Sequence, residues 1–173
     1  MSTILAIDPG NTESGWVVIN THDHSLRTFG KDPNGDVLAM IRDTTPPVGM
    51  VAVIEMVASY GMAVGADVFE TCVWIGRFQE ALLERTDRLP VLIKRQPVKL
   101  HHCHSAKAKD SNIRQALVDR FAPGQPNHGK GTKAEPGWFY GFRADIWQAY
   151  ALAVYAADQA LNVPGVESAR GVS

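Results

Sequence analysis

The chain has 173 residues, 45% of them apolar and 20% charged, with a formal net charge of -1. That is enough apolar material to fill the core of one domain or at most two small ones, which excludes a disordered tail or a fibre. Apolar runs are short and broken by Gly or Pro, so none approaches the roughly 20 residues a membrane span needs.

Met1-Ser2-Thr3 leads directly into the strand-like run Ile4 to Ile7, without the basic start or cleavage site of a secretory leader. That run ends in Asp8-Pro9-Gly10, and Trp16 to Ile19 follows after a polar turn, so a hairpin of two buried strands is expected. Leu26 to Phe29 reads as a third strand. Asn34-Gly35-Asp36 is placed to cap a short helix with Val37, Leu38 and Ile41 on one face, stopped before Pro46-Pro47. Val51 to Ile54 is the clearest buried strand, and it too ends in an acid, Glu55. Val68, Cys72, Ile75 and Leu82 recur at helical spacing, which predicts a long amphipathic helix over residues 67–84. Val91 to Ile93 is a further strand. Pro97 to His104 is expected to be irregular or a single helical turn. Ile113, Leu117 and Phe121 share the face of a helix capped by Asp110 or Ser111. Residues 123–137, rich in Gly, Pro and Lys, read as a mobile loop. A last helix from near Ala144 puts Ile146, Tyr150, Ala153, Ala157 and Leu161 on one side, and Pro164-Gly165 ends it. Two strands, then strands alternating with helices, describe an α/β mixed sheet covered by helices.

The near-zero charge is a cancellation. Residues 1–93 hold 6 Lys and Arg against 12 Asp and Glu, residues 94–143 hold 10 against 3, and residues 144–173 hold 1 against 3. One basic side on a folded surface is the footprint of a polyanion ligand, although a chance cluster on a solvated face gives the same count. Cys72 and Cys103 are too few for a disulfide framework and fit a reducing cytoplasm.

Asp8 and Glu55 each close a buried strand. If those strands are parallel neighbours, the two carboxylates emerge at one sheet edge and repel each other unless a cation compensates. A hard divalent ion such as Mg2+ takes a few carboxylates together with water and phosphate oxygens. Asp145, at the start of the final helix, is the natural third ligand, and Gln148 on the same helix face is a weaker fourth. Singly, an acid at a strand end or helix start is more often a turn or cap residue. His101-His102-Cys103-His104 invites a zinc reading, but four adjacent residues cannot converge on one ion and no CxxC or HxxxH partner exists, so a loop presenting histidines to DNA is expected instead.

Ile4-Leu5-Ala6-Ile7-Asp8-Pro9-Gly10, followed by Ser14-Gly15-Trp16-Val17-Val18-Ile19, resembles the opening of the RuvC family of Holliday junction resolvases. Val53-Ile54-Glu55 resembles that family's second acidic strand, and Asp145 to Ala153 its final helix. Order and spacing agree from residue 4 to about 160. The stretches Lys107 to Leu117 and Phe69 to Phe78 are more similar to its divergent, often phage-encoded branch.

The resemblance implies an RNase H-like fold, a mixed five-stranded sheet flanked by helices, in one domain over 1–162 with a flexible tail at 163–173. It further implies a homodimer that nicks four-way DNA junctions symmetrically with Mg2+, for which Mn2+ substitutes, and that needs neither a membrane nor a small-molecule cofactor. Asp8, Glu55 and Asp145 match the catalytic metal ligands. Gln148 departs from the family pattern, which commonly has a further Asp there. Lys99, Lys107, Lys109 and Arg114 would contact phosphates, and Tyr60 would wedge into the junction unless it packs over the sheet. The long helix from Asp67, widened by Trp74 and Phe78, would form the dimer interface. Two rivals stand beside this reading: an RNase H-like nuclease acting on RNA, and a junction-binding protein without catalysis, which the neutral Gln148 motivates.

Overall fold

Thr3–Asp8 forms β1, the middle strand of a five-stranded sheet, because both of its faces find apolar cover. The computed structural model describes residues 3–161. β2 (Glu13–Asn20) runs antiparallel to β1, and β3 (Leu26–Pro33) antiparallel to β2. On the other side β4 (Val51–Met56) is parallel to β1, and β5 (Val91–Lys94) parallel to β4. The order is therefore β3-β2-β1-β4-β5, the mixed α/β sheet that the alternation of strands and helices predicts.

The period of two along a strand sorts the core into two layers. Ile4, Ala6, Val17, Ile19 and Val53 face α3 (Arg95–Cys103), α4 (Asp110–Phe121) and α5 (Ile146–Leu161). Leu5, Ile7, Ala52 and Ile54 face α1 (Asn34–Asp43) and α2 (Ala66–Thr86). By the same alternation Asp8 and Glu55 fall on the α5 layer, in step with Ala6 and Val53. α5 crosses β1, β2 and β4. Its Ala149, Ala151, Ala153 and Ala157 are fully buried, and such small side chains let a helix axis lie close to a sheet.

Closest approach comes at the start of that helix. A Cβ on Gly15 would stand 2.6 Å from the carbonyl carbon and oxygen of Asp145, so only glycine lets this end of α5 rest on β2. At its other end Asp158 binds three elements together. It accepts from Arg120 of α4 at 2.6 and 2.9 Å, and lies 2.6 Å from His101 Nε2 of α3 and 3.0 Å from His24 Nε2 of the β2–β3 turn. Tyr150 Oη donates to the His24 carbonyl and accepts from Trp138 Nε1, each at 3.0 Å.

Several expectations are corrected. Residues 95–103 are a nine-residue helix, not an irregular stretch, because Pro97 falls in the first turn, where its missing N–H costs nothing. His101 and His102 are not offered to a ligand on a loop: His101 meets Asp158, and His102 Nε2 lies 2.8 Å from the Ala151 carbonyl. The glycine-rich segment 123–137 is tied by backbone hydrogen bonds, Gly137 to Lys130 and Thr132 to Glu135 among them. Asn34 caps nothing with its side chain; it accepts from Ser14 Oγ at 2.6 Å and donates to the Gly10 carbonyl at 2.9 Å, bracing the turn after Asp8. Phe78 is wholly buried, and the large apolar side chains α2 exposes are Phe69, Val73 and Leu83, at 63%, 62% and 36%. The tail expected over 163–173 lies outside the described residues. Among those residues no helix is long and apolar enough to cross a membrane.

Burial lowers the His102 pKa from 6.5 to about 4. The folded state then resists protonation that the unfolded chain accepts, so this contribution is complete above pH 6.5 and is lost as pH falls toward 4. A shift of that size corresponds to about 3 kcal/mol. Melting curves should show Tm falling across that interval, and His102→Gln should flatten the fall; an unchanged slope would refute the assignment. Gly15→Ala should cost about 1–3 kcal/mol through overpacking, measured by urea unfolding.

Candidate active site

The sheet brings the predicted acids to one edge by register alone. Ile7 pairs with Ile54 across the parallel β1–β4 ladder, so Asp8 and Glu55, each one residue further on, leave neighbouring strands side by side. On the other flank Asp8 pairs with Gly15, and Gly15 with Lys31, forming a row across β1, β2 and β3. Asp145, the residue before α5, sits over the glycine in that row.

The electrostatics follow from this placement. Burial, then the Glu55 carboxylate, push the Asp8 carboxyl well above its usual value; Asp145 and Asp110 add to the rise, and Arg95 opposes it. Burial likewise raises Glu55, against the pull of Arg95. Both rises come first from burial, so Asp8 and Glu55 are the poorly solvated pair of this corner.

Two cations that the sequence reading passed over hold this corner together. Arg95 Nη1 donates to both oxygens of Glu55, at 3.0 and 3.3 Å, and Nη2 donates to Asp110 at 2.5 Å. Lys31 Nζ lies 2.8 Å from Asp145 and 3.6 Å from Glu13. Arg95 follows β5 directly and Lys31 stands opposite Gly15, so both would have been foreseen from strand pairing, which residue spacing does not supply.

The weaker candidates divide between two clefts. Gln148 is only 8% exposed, and its backbone N–H donates to the Asp145 carbonyl at 3.1 Å; with Asp145, Asp110, Ser111 and Arg114 it lines a cleft of about 230 Å3 between the starts of α4 and α5. Tyr60 and Lys99 line another of about 210 Å3 beside Arg95. Tyr60 is 57% exposed in the β4–α2 loop, so it does not pack over the sheet. Lys107 and Lys109 are exposed on the turn between α3 and α4 and line neither cleft, although Lys109 adjoins Asp110.

Among the described residues, no three His, Cys, Asp or Glu side chains are grouped closely enough to hold a metal ion as they stand. Glu55 and Asp145 are turned to Arg95 and Lys31 instead. In kind the donors suit a hard divalent cation: they are carboxylate oxygens with one amide carbonyl near by, and among the described residues Asp8 has no ion pair.

No protein-family model and no curated protein matches the sequence. Solved structures do match the fold. The chain is similar to Thermus thermophilus RuvC with a TM-score of 0.62 at 16% identity, covering 92% of this chain and 96% of that one. It is equally similar to T. thermophilus RuvC in complex with a Holliday junction substrate, with a TM-score of 0.62 at 14% identity and 94% and 97% coverage. The fold of this protein is thus the RNase H-like fold of RuvC, shared over nearly the whole length of both chains.

Proposed function

We propose that this chain is a divalent-metal-dependent, structure-selective endonuclease that resolves four-way DNA junctions by paired phosphodiester hydrolysis, as a homodimer of RuvC-like subunits of the divergent, phage-type branch, acting in the cytoplasm. The observation that carries this reading is the placement of Asp8 and Glu55 side by side on β1 and β4, with Asp145 resting over Gly15 of the next strand. They lie on a fold whose similar structure is solved with a Holliday junction.

Asp8, Glu55 and Asp145 would hold Mg2+, or Mn2+ in its place, with the Gln148 carbonyl as a neutral contributor. Such an ion would supply an activated water and offset charge at the phosphate and the leaving oxygen. The chain's own part is placement. Asp8 and Glu55 sit on adjacent strands whose cores are filled on both faces, which fixes their separation. Lys99 and Arg114, one in each flanking cleft, are positioned to hold phosphates on either side, with Lys107 and Lys109 extending the basic surface along the α3–α4 turn. Tyr60, exposed on a loop directly after β4, is suited to stacking in an opened junction centre. On α2, Phe69 and Val73 are one helical turn apart and both exposed, giving an apolar strip for a second copy.

A second reading, junction binding without cleavage, draws support from Gln148 and from the occupation of Glu55 by Arg95. Incubation with a synthetic four-way junction, a linear duplex and an RNA/DNA hybrid, with and without Mg2+, separates the readings. Selective nicking of the junction is expected, whereas binding without nicking would favour the second reading and cleavage of the hybrid an RNA-directed enzyme. Asp8→Asn and Glu55→Gln should each lower nicking by more than about a hundredfold, or roughly 2.7 kcal/mol in barrier, with junction affinity kept or improved. Full activity in either variant would remove the site assignment. Lys99→Ala and Arg114→Ala should each reduce the salt slope of binding by about one, read from gel shifts between 50 and about 200 mM salt.

A further inference from the structure

We infer that Arg95 supplies, on the Glu55 side of Asp8, the positive charge that a second divalent cation would bring, so that each chain takes one divalent ion, on the Asp145 side. The inference rests on the reading of this corner as a metal-dependent nuclease site and narrows its ligand set: Asp8 and Asp145 take the ion, while Glu55 acts through Arg95.

The two flanks of Asp8 differ in how firmly their resident cations are held. On the Glu55 side one guanidinium uses both oxygens of Glu55 through Nη1 and is anchored behind by Asp110 through Nη2. β4 and α4 thus grip a planar group at two points, and its charge is permanent. A divalent ion ligated by Glu55 would need to sit about 2.0–2.1 Å from an oxygen that now accepts from Arg95. It would have to displace Nη1 and then stay beside a guanidinium that Asp110 still holds in place.

On the Asp145 side the resident is the single ammonium of Lys31 on a flexible stem. Glu13, 3.6 Å away, is a ready second partner, so Lys31 can leave Asp145 without becoming an unpaired charge. Gln148 lines the same cleft, nearly buried, and its amide brings an oxygen donor with no added charge.

Titrating Mn2+ into the protein and counting bound ions by electron paramagnetic resonance of the free ion tests this directly. One ion per chain is expected for the unaltered protein, none for Asp8→Asn, and two for Arg95→Gln. Asp110→Asn, at a side chain 65% exposed and therefore tolerant of change, removes the rear anchor of Arg95 and should also admit a second ion, with weaker affinity than the first. Two ions in the unaltered protein would overturn the inference while supporting the metal-site reading. One ion in both folded Arg95 and Asp110 variants would overturn it as well. No bound ion, or one that Asp8→Asn retains, would overturn the metal-site reading and the inference with it.

Discussion

Repulsion between Asp8 and Glu55 is the constraint around which this molecule is arranged. Two carboxylates leave adjacent parallel strands on one face, under a helix layer that limits their contact with water, and such a pair is costly unless positive charge is delivered to it. Arg95 is delivered by the chain directly after β5, which lies beside β4, and Lys31 by the strand two removed from Asp8. The compensation is incomplete, since the Asp8 carboxyl remains raised. What is left is a buried carboxyl group without a cation of its own, which is costly in a core.

Holding such a corner open requires stiffness elsewhere. α5 is gripped at both ends by different means: at its start by the absence of a side chain on Gly15, and near its end by the four-way meeting of Asp158, Arg120, His101 and His24. Between them Tyr150 is packed among Phe121, Phe139 and Phe142 and hydrogen-bonded at its hydroxyl. A helix so fixed cannot rotate to carry Asp145 away from the sheet edge.

Much of this was legible in the residues. Short apolar runs ending in acids announced β1 and β4, and the spacing of Ile146, Tyr150, Ala153 and Ala157 announced the final helix. The three acids were identifiable because strand ends and helix starts are places where direction can be read from local pattern. Arg95 and Lys31 were not, because their roles depend on which strands pair and in what register, a long-range matter that local periodicity does not carry. His101 and His102 misled for the same reason: they were expected on a loop facing DNA, whereas they lie on a helix and their partners Asp158 and Ala151 are far along the chain. The glycine-rich segment misled by composition, since its glycines serve tight hydrogen-bonded turns.

Register also makes the site an all-or-none object. Asp8, Glu55 and Asp145 come from three distant stretches, and a one-residue slip of β4 against β1 would send Glu55 into the opposite layer while thrusting Ile54 toward α5. Any misaligned form therefore loses the acidic corner and damages both core layers together. Occupancy of the corner is for that reason coupled to correct global folding, and an ion bound there would report on the integrity of the whole sheet.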